Sequence, residues 1–444
     1  MAQYWNPEFE TMVWPEIQSY WLNEVKKLIE YVKNNSEFYR DRLKLVNSED
    51  IKTIDSLLKI PLLTKDDLRS AQENSDRNNP LGLFQVAPTE NIVQVVSSSG
   101  TSGRPVYYGV TRDDLDNWRD SIATFFFTAG IRKEDVVGHV VGTPIFAGGS
   151  PYFEGIRHIG ATGVWAGGQG STPRTIKTLK HLHCTALVGT TSFDRFLGEH
   201  FQEVTGLEAK ELGVLKVLGG GEPGLGEESI RRKVKEIWNA ATVREIMGLS
   251  DVLPGMWAEC EEESGMHFTA QKYVMVELID PTTGNHLPWE PGVCGEAVYT
   301  TIRREATPVL RYRSADLIRV EGVTCNCGRT SPRIRCIGRV DDMLVYKAMN
   351  VFPSAIRDVV LKHFEPFLTG HLQIVKENAH QVRFDTAIPV DIEVISLEEN
   401  LPALKQEIEQ KVRELLSARI EVNLVAPDSL PKTEYKTPLI RVRG

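Results

Sequence analysis

The sequence is poor in the features that mark special classes of protein. Its 444 residues contain no apolar run long enough to cross a membrane, and the start, MAQYWNPEFE, lacks the basic and apolar regions of a secretion signal. The net charge is -9 and the sequence has no block rich in Lys and Arg. Both features argue against non-specific nucleic-acid binding. The six cysteines are expected to be thiols or metal ligands rather than disulfides. We therefore expect a cytoplasmic protein that binds neither nucleic acid nor a membrane.

Alternating helix and strand patterns predict the fold class. The first 45 residues carry apolar side chains at helical spacing. From about residue 91 to 340, β-rich runs such as VVGHVVG and HCTALVG alternate with helical segments, which predicts parallel α/β layers that continue into a β-rich part. Beyond that, short strands and two helices predict a small α+β domain. We place the N-terminal domain at residues 1–340 and the C-terminal domain at residues 341–444.

The stretch VVSSSGTSGRPVYYGVT, residues 95–111, places small hydroxyl residues and glycines between two β-rich runs. Backbone N–H groups and hydroxyls in such a turn can hold an anion, because glycine permits the close approach of a phosphate. Arg104 adds a positive charge. The stretch matches neither GxxxxGK[ST] nor GxGxxG. On its own it is equally compatible with a flexible surface loop.

Five further motifs follow this loop: GGGEPG at residues 219–224, REIMGLSDV at 244–252, YRSADL at 312–317, GRVDDMLVYKAMNVFPSAI at 338–356 and LPKTEYKTPLIRV at 430–442. Together with the loop they resemble the motifs of the acyl-adenylate-forming ligases, and the hinge motif is most similar to that of the phenylacetate–CoA ligase branch. The resemblance covers the chain from about residue 90 to its end. It implies a large N-terminal domain and a small C-terminal domain that rotates about a hinge between two half-reactions.

The resemblance implies a reaction in two steps. A carboxylate attacks the α-phosphorus of ATP and releases pyrophosphate, and a thiol, usually that of coenzyme A, then displaces AMP. By this resemblance Lys436 is the catalytic lysine, Asp251 stands where a glutamate usually ligates Mg²⁺, and Asp316 binds the ribose hydroxyls. Asp341 is the implied hinge residue. The residues implied to border the coenzyme A tunnel are Lys347, Ala348 and Asn350.

The same resemblance implies a nucleotide site, and the chain departs from the family pattern at three positions. Met247 stands where an aromatic ring usually covers adenine, although its sulfur can still cover a ring face. Ala348 and Tyr435 replace glycines that can adopt positive φ, and both bear on the thiol-transfer geometry. For Asp316 the alternative is an ion pair with Arg313 or Arg319. The residues implied to bind ATP or AMP are Ser98, Ser99, Gly100, Thr101, Ser102, Gly103, Gly220, Gly221, Glu222, Pro223, Met247, Gly248, Leu249, Ser250, Asp316 and Arg339.

Two segments, TPIFAGGSPYFEG and GVWAGGQG, correspond to those that line the acyl site in relatives. Where the branch usually has His-Tyr, this chain has Phe153 and Glu154. A slot lined by aromatic rings favours an aromatic or arylacetic acid over a polar one. The alternative is that these rings belong to the core. The predicted acyl pocket consists of Phe146, Tyr152, Phe153, Trp165, Ala166 and Gly167.

A metal site is the remaining expectation. C-x-C alone, at Cys325 and Cys327, is a weak signal, since zinc sites usually have C-x₂₋₄-C spacing. The phenylacetate–CoA ligase branch, however, often has Cys, His and C-x-C at the places of Cys260, His267 and this pair. The resemblance therefore implies a closed structural Zn²⁺ site, against free thiols and a core histidine. The run HLHC, residues 181–184, is a weaker metal candidate.

Three functions remain open. The first is a ligase that joins an aromatic carboxylic acid to coenzyme A with ATP. The second is an adenylating enzyme that passes the acyl group, or AMP itself, to another acceptor. The third is a non-catalytic nucleotide-binding or zinc-stabilised regulator, which would lack Lys436, Asp316 or the acidic residue at 251. A homodimer is common in this branch.

Overall fold

The computed structural model describes residues 3–73, 75–98, 105–141, 145, 147–167, 171–222, 224–340, 342–347, 349–378, 381–397, 401–431 and 439–443, with the backbone alone at Asn350. The α-helices in these residues are α1 Pro7–Thr11, α2 Trp14–Asn35, α3 Glu37–Arg42, α4 Lys65–Glu73, α5 Arg112–Thr128, α6 Ser150–Ile159, α7 Thr172–His181, α8 Thr191–Glu199, α9 Phe201–Thr205, α10 Glu228–Trp238, α11 Pro353–Phe364 and α12 Leu401–Leu416. The strands are β1 Ile92–Ser97, β2 Tyr107–Thr111, β3 Val136–His139, β4 Thr162–Trp165, β5 Ala186–Thr190, β6 Lys216–Gly220, β7 Thr242–Leu249, β8 Leu253–Glu259, β9 Met266–Phe268, β10 Val274–Ile279, β11 Cys294–Thr301, β12 Tyr312–Gly322, β13 Arg333–Arg339, β14 Leu344–Tyr346, β15 Met349–Val351, β16 Leu368–Lys376, β17 Arg383–Phe384, β18 Ile388–Val394, β19 Ile420–Val425 and β20 Ile440–Val442.

The largest sheet in the described chain has eleven strands, in the order β10-β11-β12-β13-β9-β8-β7-β6-β5-β3-β4. Its β3 to β7 half is parallel. From β7 onward every neighbouring pair is antiparallel. Parallel strands need crossover helices, whereas antiparallel strands can be joined by turns, so the two halves have different layers. The predicted α/β class with a β-rich part is confirmed.

Helices cover both faces of the parallel half. On one face α5 and α6 pack closely, because a Cβ at Gly155 would lie 2.4 Å from Ile122. A capping box of Thr111 and Asp114 starts α5, and Gly160 at φ 90° ends α6. On the other face the apolar sides of α7, α8 and α10 form a second cluster with the sheet. The strands between these layers are buried on both sides, as their continuous apolar runs predict.

The strand order places a topological switch point between β3 and β5. The chain runs from β3 to β4 at the sheet edge and then crosses back to β5 on the other side of β3. In open α/β sheets ligands bind outside the carboxyl ends of the strands at such a point. His139 and Thr190 are the last residues of β3 and β5. This edge is where the fold alone would place a ligand.

The C-terminal residues form a separate apolar cluster around two small sheets, one of β15, β14 and β17 and one of β19, β18, β16 and β20. Helices α11 and α12 pack on them. The predicted strand VRFDTAI is in fact the two-residue β17 and the start of β18. Contacts with the large domain include Arg232 to Glu365 at 2.6 Å and Arg195 to the Thr369 carbonyl. The predicted boundary between residues 340 and 341 stays a prediction.

The first residues lie across the surface of the large domain. The Gln3 amide and Tyr4 hydroxyl donate to the Cys327 carbonyl at 3.0 and 2.9 Å. Glu10 and Arg329 form a buried ion pair at 2.8 Å. The predicted N-terminal helix is divided into α1, α2 and α3. None of the described helices combines the length and apolarity that a membrane span requires.

Candidate active site

The base of the serine-rich loop is fixed by the hairpin of β1 and β2. Ser98 is buried, and its hydroxyl accepts the Val106 N–H at 3.1 Å. The N–H of Ser97 donates to the Ile145 carbonyl at 2.8 Å. Both contacts set where the loop leaves the hairpin. The loop residues from Ser99 to Gly103, predicted to hold phosphates, lie outside the described residues.

Asp251 lies in the tight turn between β7 and β8 and is 2% exposed. Its carboxylate accepts a hydrogen bond from the Tyr108 hydroxyl and lies 3.3 Å from Lys65 Nζ. Lys65 reaches this point because the backbone of Leu63 bonds to Arg311 and Arg313, which lie on either side of Tyr312. Three distant segments therefore meet at the carboxylate.

Neutral phenols and a buried cation surround Asp251. Burial and the nearby Asp251 charge raise the pKa of Tyr108 and of Tyr312 well above the usual value for tyrosine, so both remain donors. Arg304 donates to the carbonyls of Asp251 and Val252 at 3.3 and 3.2 Å. Burial lowers the pKa of Arg304, whose guanidinium stacks over Tyr108. The carboxylate thus has a fixed orientation.

Asp316 and Arg339 face each other across β12 and β13. The Arg339 guanidinium donates to Asp316 at 3.0 Å, and the Asp316 and Arg339 side chains are 10% and 33% exposed respectively. The two alternative partners of Asp316 are engaged elsewhere: Arg313 with Glu296 and Arg319 with Glu321. The geometry brings the two predicted nucleotide residues together on neighbouring strands, at the carboxyl end of β13.

Glycines in the predicted adenine pocket allow backbones to approach closely. A Cβ at Gly220 would lie 2.3 Å from the Ile246 carbonyl oxygen, and one at Gly248 only 1.6 Å from that of Pro254. Gly221 has φ +76°. Glu222 accepts the Ser192 N–H at 2.6 Å, which ties this turn to the start of α8. Met247, Leu249 and Ser250, beside these turns, are half-buried.

Three of the predicted acyl-pocket rings, those of Tyr152, Phe153 and Trp165, lie in one cluster with His139. Phe153 and Trp165 have ring centroids 5.8 Å apart, and Trp165 lies 5.5 Å from His139. His139 in turn lies 5.9 Å from Tyr152, whose hydroxyl donates to the Pro254 carbonyl at 2.8 Å. Ala166 and Gly167 continue from β4, and their N–H groups donate to the His139 carbonyl. The cluster therefore lies at the carboxyl ends of β3 and β4.

Cys260, His267, Cys325 and Cys327 form the group with metal-ligand character found in the described chain, with all ligand atoms within 4.8 Å of one another. The Cys260 and Cys325 sulfurs are 3.7 Å apart, and Cys327 Sγ lies 3.4 Å from His267 Nε2. Nδ1 of His267 lies 3.1 Å from the Ser331 carbonyl, so it carries the proton and leaves the Nε2 lone pair free. HLHC brings no such group together in the described residues.

Several predicted site residues lie outside the described residues, so their placement stays a prediction. Lys347, in the predicted coenzyme A tunnel, is described, with an exposed side chain and φ 56°. The undescribed positions are Ser99, Gly100, Thr101, Ser102, Gly103, Phe146, Pro223, Asp341, Ala348, Tyr435, Lys436 and the side chain of Asn350.

The sequence analysis missed Lys65, Tyr108, His139 and Arg304. Lys65 lies 186 positions from Asp251, and no local pattern marks a lysine in a helical first turn as a site residue. Tyr108 directly follows the serine-rich loop and could have been found from that position. His139 is the last residue of the strand in VVGHVVG, a run that the sequence analysis recognised as β-rich. Ligands bind at strand ends beside a switch point, so this position could have been found.

Comparison with known proteins identifies the family. Residues 348–442 match the AMP-binding enzyme C-terminal domain. A phenylacetate-coenzyme A ligase of Thermus thermophilus is 31% identical, over 97% of each chain. One of Escherichia coli is 28% identical over 96% of this chain and 95% of its own.

Solved structures agree with this, and the match differs between two states of one enzyme. A 2-hydroxyisobutyryl-CoA ligase in the postadenylation state, in complex with 2-HIB-AMP, matches 100% of this chain and 93% of its own, with 25% identity and a TM-score of 0.89. The same enzyme in the thioesterification state, with CoA, gives a TM-score of 0.71 at 26% identity, over 99% of this chain and 92% of its own. With the full-length relative at 31% identity, these matches confirm the predicted resemblance: the chain belongs to the phenylacetate-coenzyme A ligase family of AMP-forming acid–CoA ligases.

Proposed function

We propose that this acid–CoA ligase activates an aromatic or arylacetic acid. The observation that carries the proposal is the ring cluster of Tyr152, Phe153 and Trp165 at the carboxyl edge of the sheet. The ring contacts in this cluster are tilted, at interplanar angles of 40°, 30° and 30°, and a further aromatic ring can pack against them offset or edge-to-face. The names of the curated relatives, all phenylacetate-coenzyme A ligases, support the same substrate class.

In the first half-reaction a carboxylate oxygen bonds to the α-phosphorus of ATP and the bond to pyrophosphate breaks. Asp316 accepts hydrogen bonds from the ribose hydroxyls, and Arg339 lies beside it to meet the ribose or α-phosphate. The serine-rich loop holds the pyrophosphate end, and Lys436 neutralises the carboxylate and α-phosphate. In the second half-reaction the coenzyme A sulfur bonds to the acyl carbon and AMP leaves.

Mg²⁺ would accompany ATP and carry part of the phosphate charge. Asp251 offers a hard oxygen ligand beside Tyr108, which follows the serine-rich loop. Lys65 already lies 3.3 Å from that carboxylate, so the ammonium and the divalent ion are alternative positive partners of Asp251. We propose that Asp251 ligates Mg²⁺ with displacement of Lys65 towards the phosphates.

A structural Zn²⁺ fits the group of three cysteines and a histidine. In a tetrahedral site with ordinary bond lengths, two sulfurs lie about 3.8 Å apart and a sulfur lies about 3.5 Å from a nitrogen. The corresponding separations here are 3.7 and 3.4 Å. His267 is also held in the tautomer that a metal needs. The ion would join β8 and β9 to the loop after β12 and would take no part in the reaction.

The test measures pyrophosphate and AMP release from ATP with a panel of benzoic and arylacetic acids, each with and without coenzyme A. Aryl-CoA formation with one AMP per thioester is the expected result. Pyrophosphate release that is indifferent to coenzyme A would favour an acceptor other than this thiol. Activity with short aliphatic acids and none with aryl acids would overturn the aromatic assignment.

A further inference from the structure

His139 lies in the ring cluster at the switch point of the sheet. It ends β3, pairs with Trp165 of β4 and Val188 of β5, and is fully buried. Its imidazole lies between the rings of Tyr152 and Trp165, at centroid distances of 5.9 and 5.5 Å. The imidazole thus belongs to the buried part of the ring cluster that the proposed function assigns to the substrate ring.

The hydrogen bonds of this imidazole are incomplete. Nε2 lies 3.1 Å from the Gly149 carbonyl, and a carbonyl can only accept, so Nε2 carries the proton. Nδ1 is buried and has no hydrogen-bond partner in the described part of the chain. In this tautomer Nδ1 has a lone pair and no donor. The ring therefore presents an unused acceptor inside an aromatic cluster.

Nδ1 is not protonated at neutral pH, so it remains an acceptor without a donor. Burial lowers the pKa of His139 to about 4, against smaller opposing effects of the backbone at Gly149, Val188 and Gly148. The imidazole is therefore neutral near pH 7. A buried acceptor without a donor is costly, and most such groups in native proteins have a partner or a functional reason.

We propose that Nδ1 of His139 accepts a hydrogen bond from the substrate, and that the enzyme selects aryl acids whose ring carries a hydroxyl or amino group. The inference rests on the proposed function, because it presupposes that an aryl ring lies against this cluster. A ring with a donor pairs the acceptor that a bare ring leaves unpaired. Sites built to bond a substrate hydroxyl reject analogues without it far more strongly than apolar pockets reject a change of size.

The test compares hydroxyl-, amino-, methyl- and fluoro-substituted aryl acids, with the substituent at each ring position in turn. We expect kcat/KM for the best hydroxyl or amino acid to exceed that of its methyl and fluoro counterparts by about tenfold or more. His139→Phe keeps a ring of similar size and removes the acceptor, so the preference is expected to fall to within about twofold. His139→Gln retains an acceptor and is expected to keep most of the preference.

Two results would overturn the inference. One is a wild-type enzyme that uses hydroxyl, methyl and fluoro acids equally well, which is decisive even if His139→Phe does not fold. The other is a His139→Phe enzyme that keeps the full preference. Phe153→Leu is the matched control, since it changes the size of the ring cluster and leaves Nδ1 in place. A failure of every aryl acid, substituted or not, would instead contradict the proposed function.

Discussion

At the scale of single residues, Asp316 is predicted to bind the ribose hydroxyls and lies beside Arg339. Its carboxylate is paired with Arg339 and its side chain remains 10% exposed. We expect Asp316→Asn to lower kcat/KM for ATP by about 100-fold, since two hydrogen bonds to a charged group are lost at about 1.5 kcal/mol each. Steady-state kinetics with ATP as the varied substrate measure this.

Glu321→Gln is the control on the same strand, because Glu321 pairs with Arg319 at the surface. It should leave the KM for ATP unchanged within about twofold, as expected for an exposed pair. An Asp316→Asn enzyme with a normal KM for ATP would contradict the ribose role. A raised KM for the acid alone would point to a place in the acyl site instead.

Lys65 is the second residue whose contact can be tested. Lys65→Met leaves the buried Asp251 without its cation, so the free energy of unfolding is expected to fall by about 1–3 kcal/mol. Urea unfolding without nucleotide measures this. If the ammonium and Mg²⁺ are alternative partners of Asp251, the Mg²⁺ concentration for half-maximal activity falls as well.

Lys59→Met gives the matched control. Its pair with Asp50 joins side chains that are 55% and 53% exposed, and such pairs contribute less than about 0.5 kcal/mol. Equal destabilisation by the two changes would mean that Lys65 contributes no more than an ordinary surface charge.

At the scale of elements, the four-residue Cys and His group joins β8 and β9 to the loop after β12. We expect about one zinc ion per chain, and Cys325→Ser should reduce this to near zero and lower the thermal midpoint by about 5 °C or more. The kcat with saturating substrates should remain within about twofold, since a closed structural site leaves no position for a substrate. Metal analysis and thermal unfolding of the purified protein measure both.

Cys294→Ser is the control, because Cys294 is an exposed thiol outside the group. It should change neither the metal content nor the midpoint. A protein purified without metal whose midpoint is indifferent to added zinc would show that the group consists of ordinary thiols and a buried histidine.

The elements also show how far the sequence could lead. The sequence could predict the helices and strands of the parallel half, because each depends on a local pattern. It could also predict the positions of Asp316 and Arg339, because each belongs to a motif. The contact of Lys65 with Asp251 could not be predicted. It depends on hydrogen bonds between the Leu63 backbone and residues at the start of β12. The orphaned Nδ1 of His139 depends on which carbonyl the ring meets, which no sequence pattern states.

At the scale of the whole molecule, this structure matches the postadenylation-state ligase with a TM-score of 0.89 and the thioesterification-state structure with 0.71. Arg195 donates to the Thr369 carbonyl, and Arg232 pairs with Glu365. Arg195→Ala removes a contact that favours this arrangement. We expect the rate of ATP–pyrophosphate exchange to fall about three- to tenfold, while thioester formation from supplied acyl-AMP is unchanged or faster.

Arg383→Ala is the control, since Arg383 and Asp385 pair within the C-terminal domain and are 70% and 74% exposed. Both half-reactions should be unaffected. Equal loss of both half-reactions in Arg195→Ala would mean that the contact supports the fold of the enzyme rather than one of its conformations.

The attachment of the first residues has a consequence for biosynthesis. Gln3 and the carbonyl to which it donates, that of Cys327, are 324 positions apart. At about 5–20 residues per second a ribosome adds that length in roughly 15–65 seconds. Throughout that time Gln3 is without this partner, and the end of the nascent chain is accessible to chaperones and proteases. The C-terminal domain, whose contacts are nearer in sequence, has no such delay.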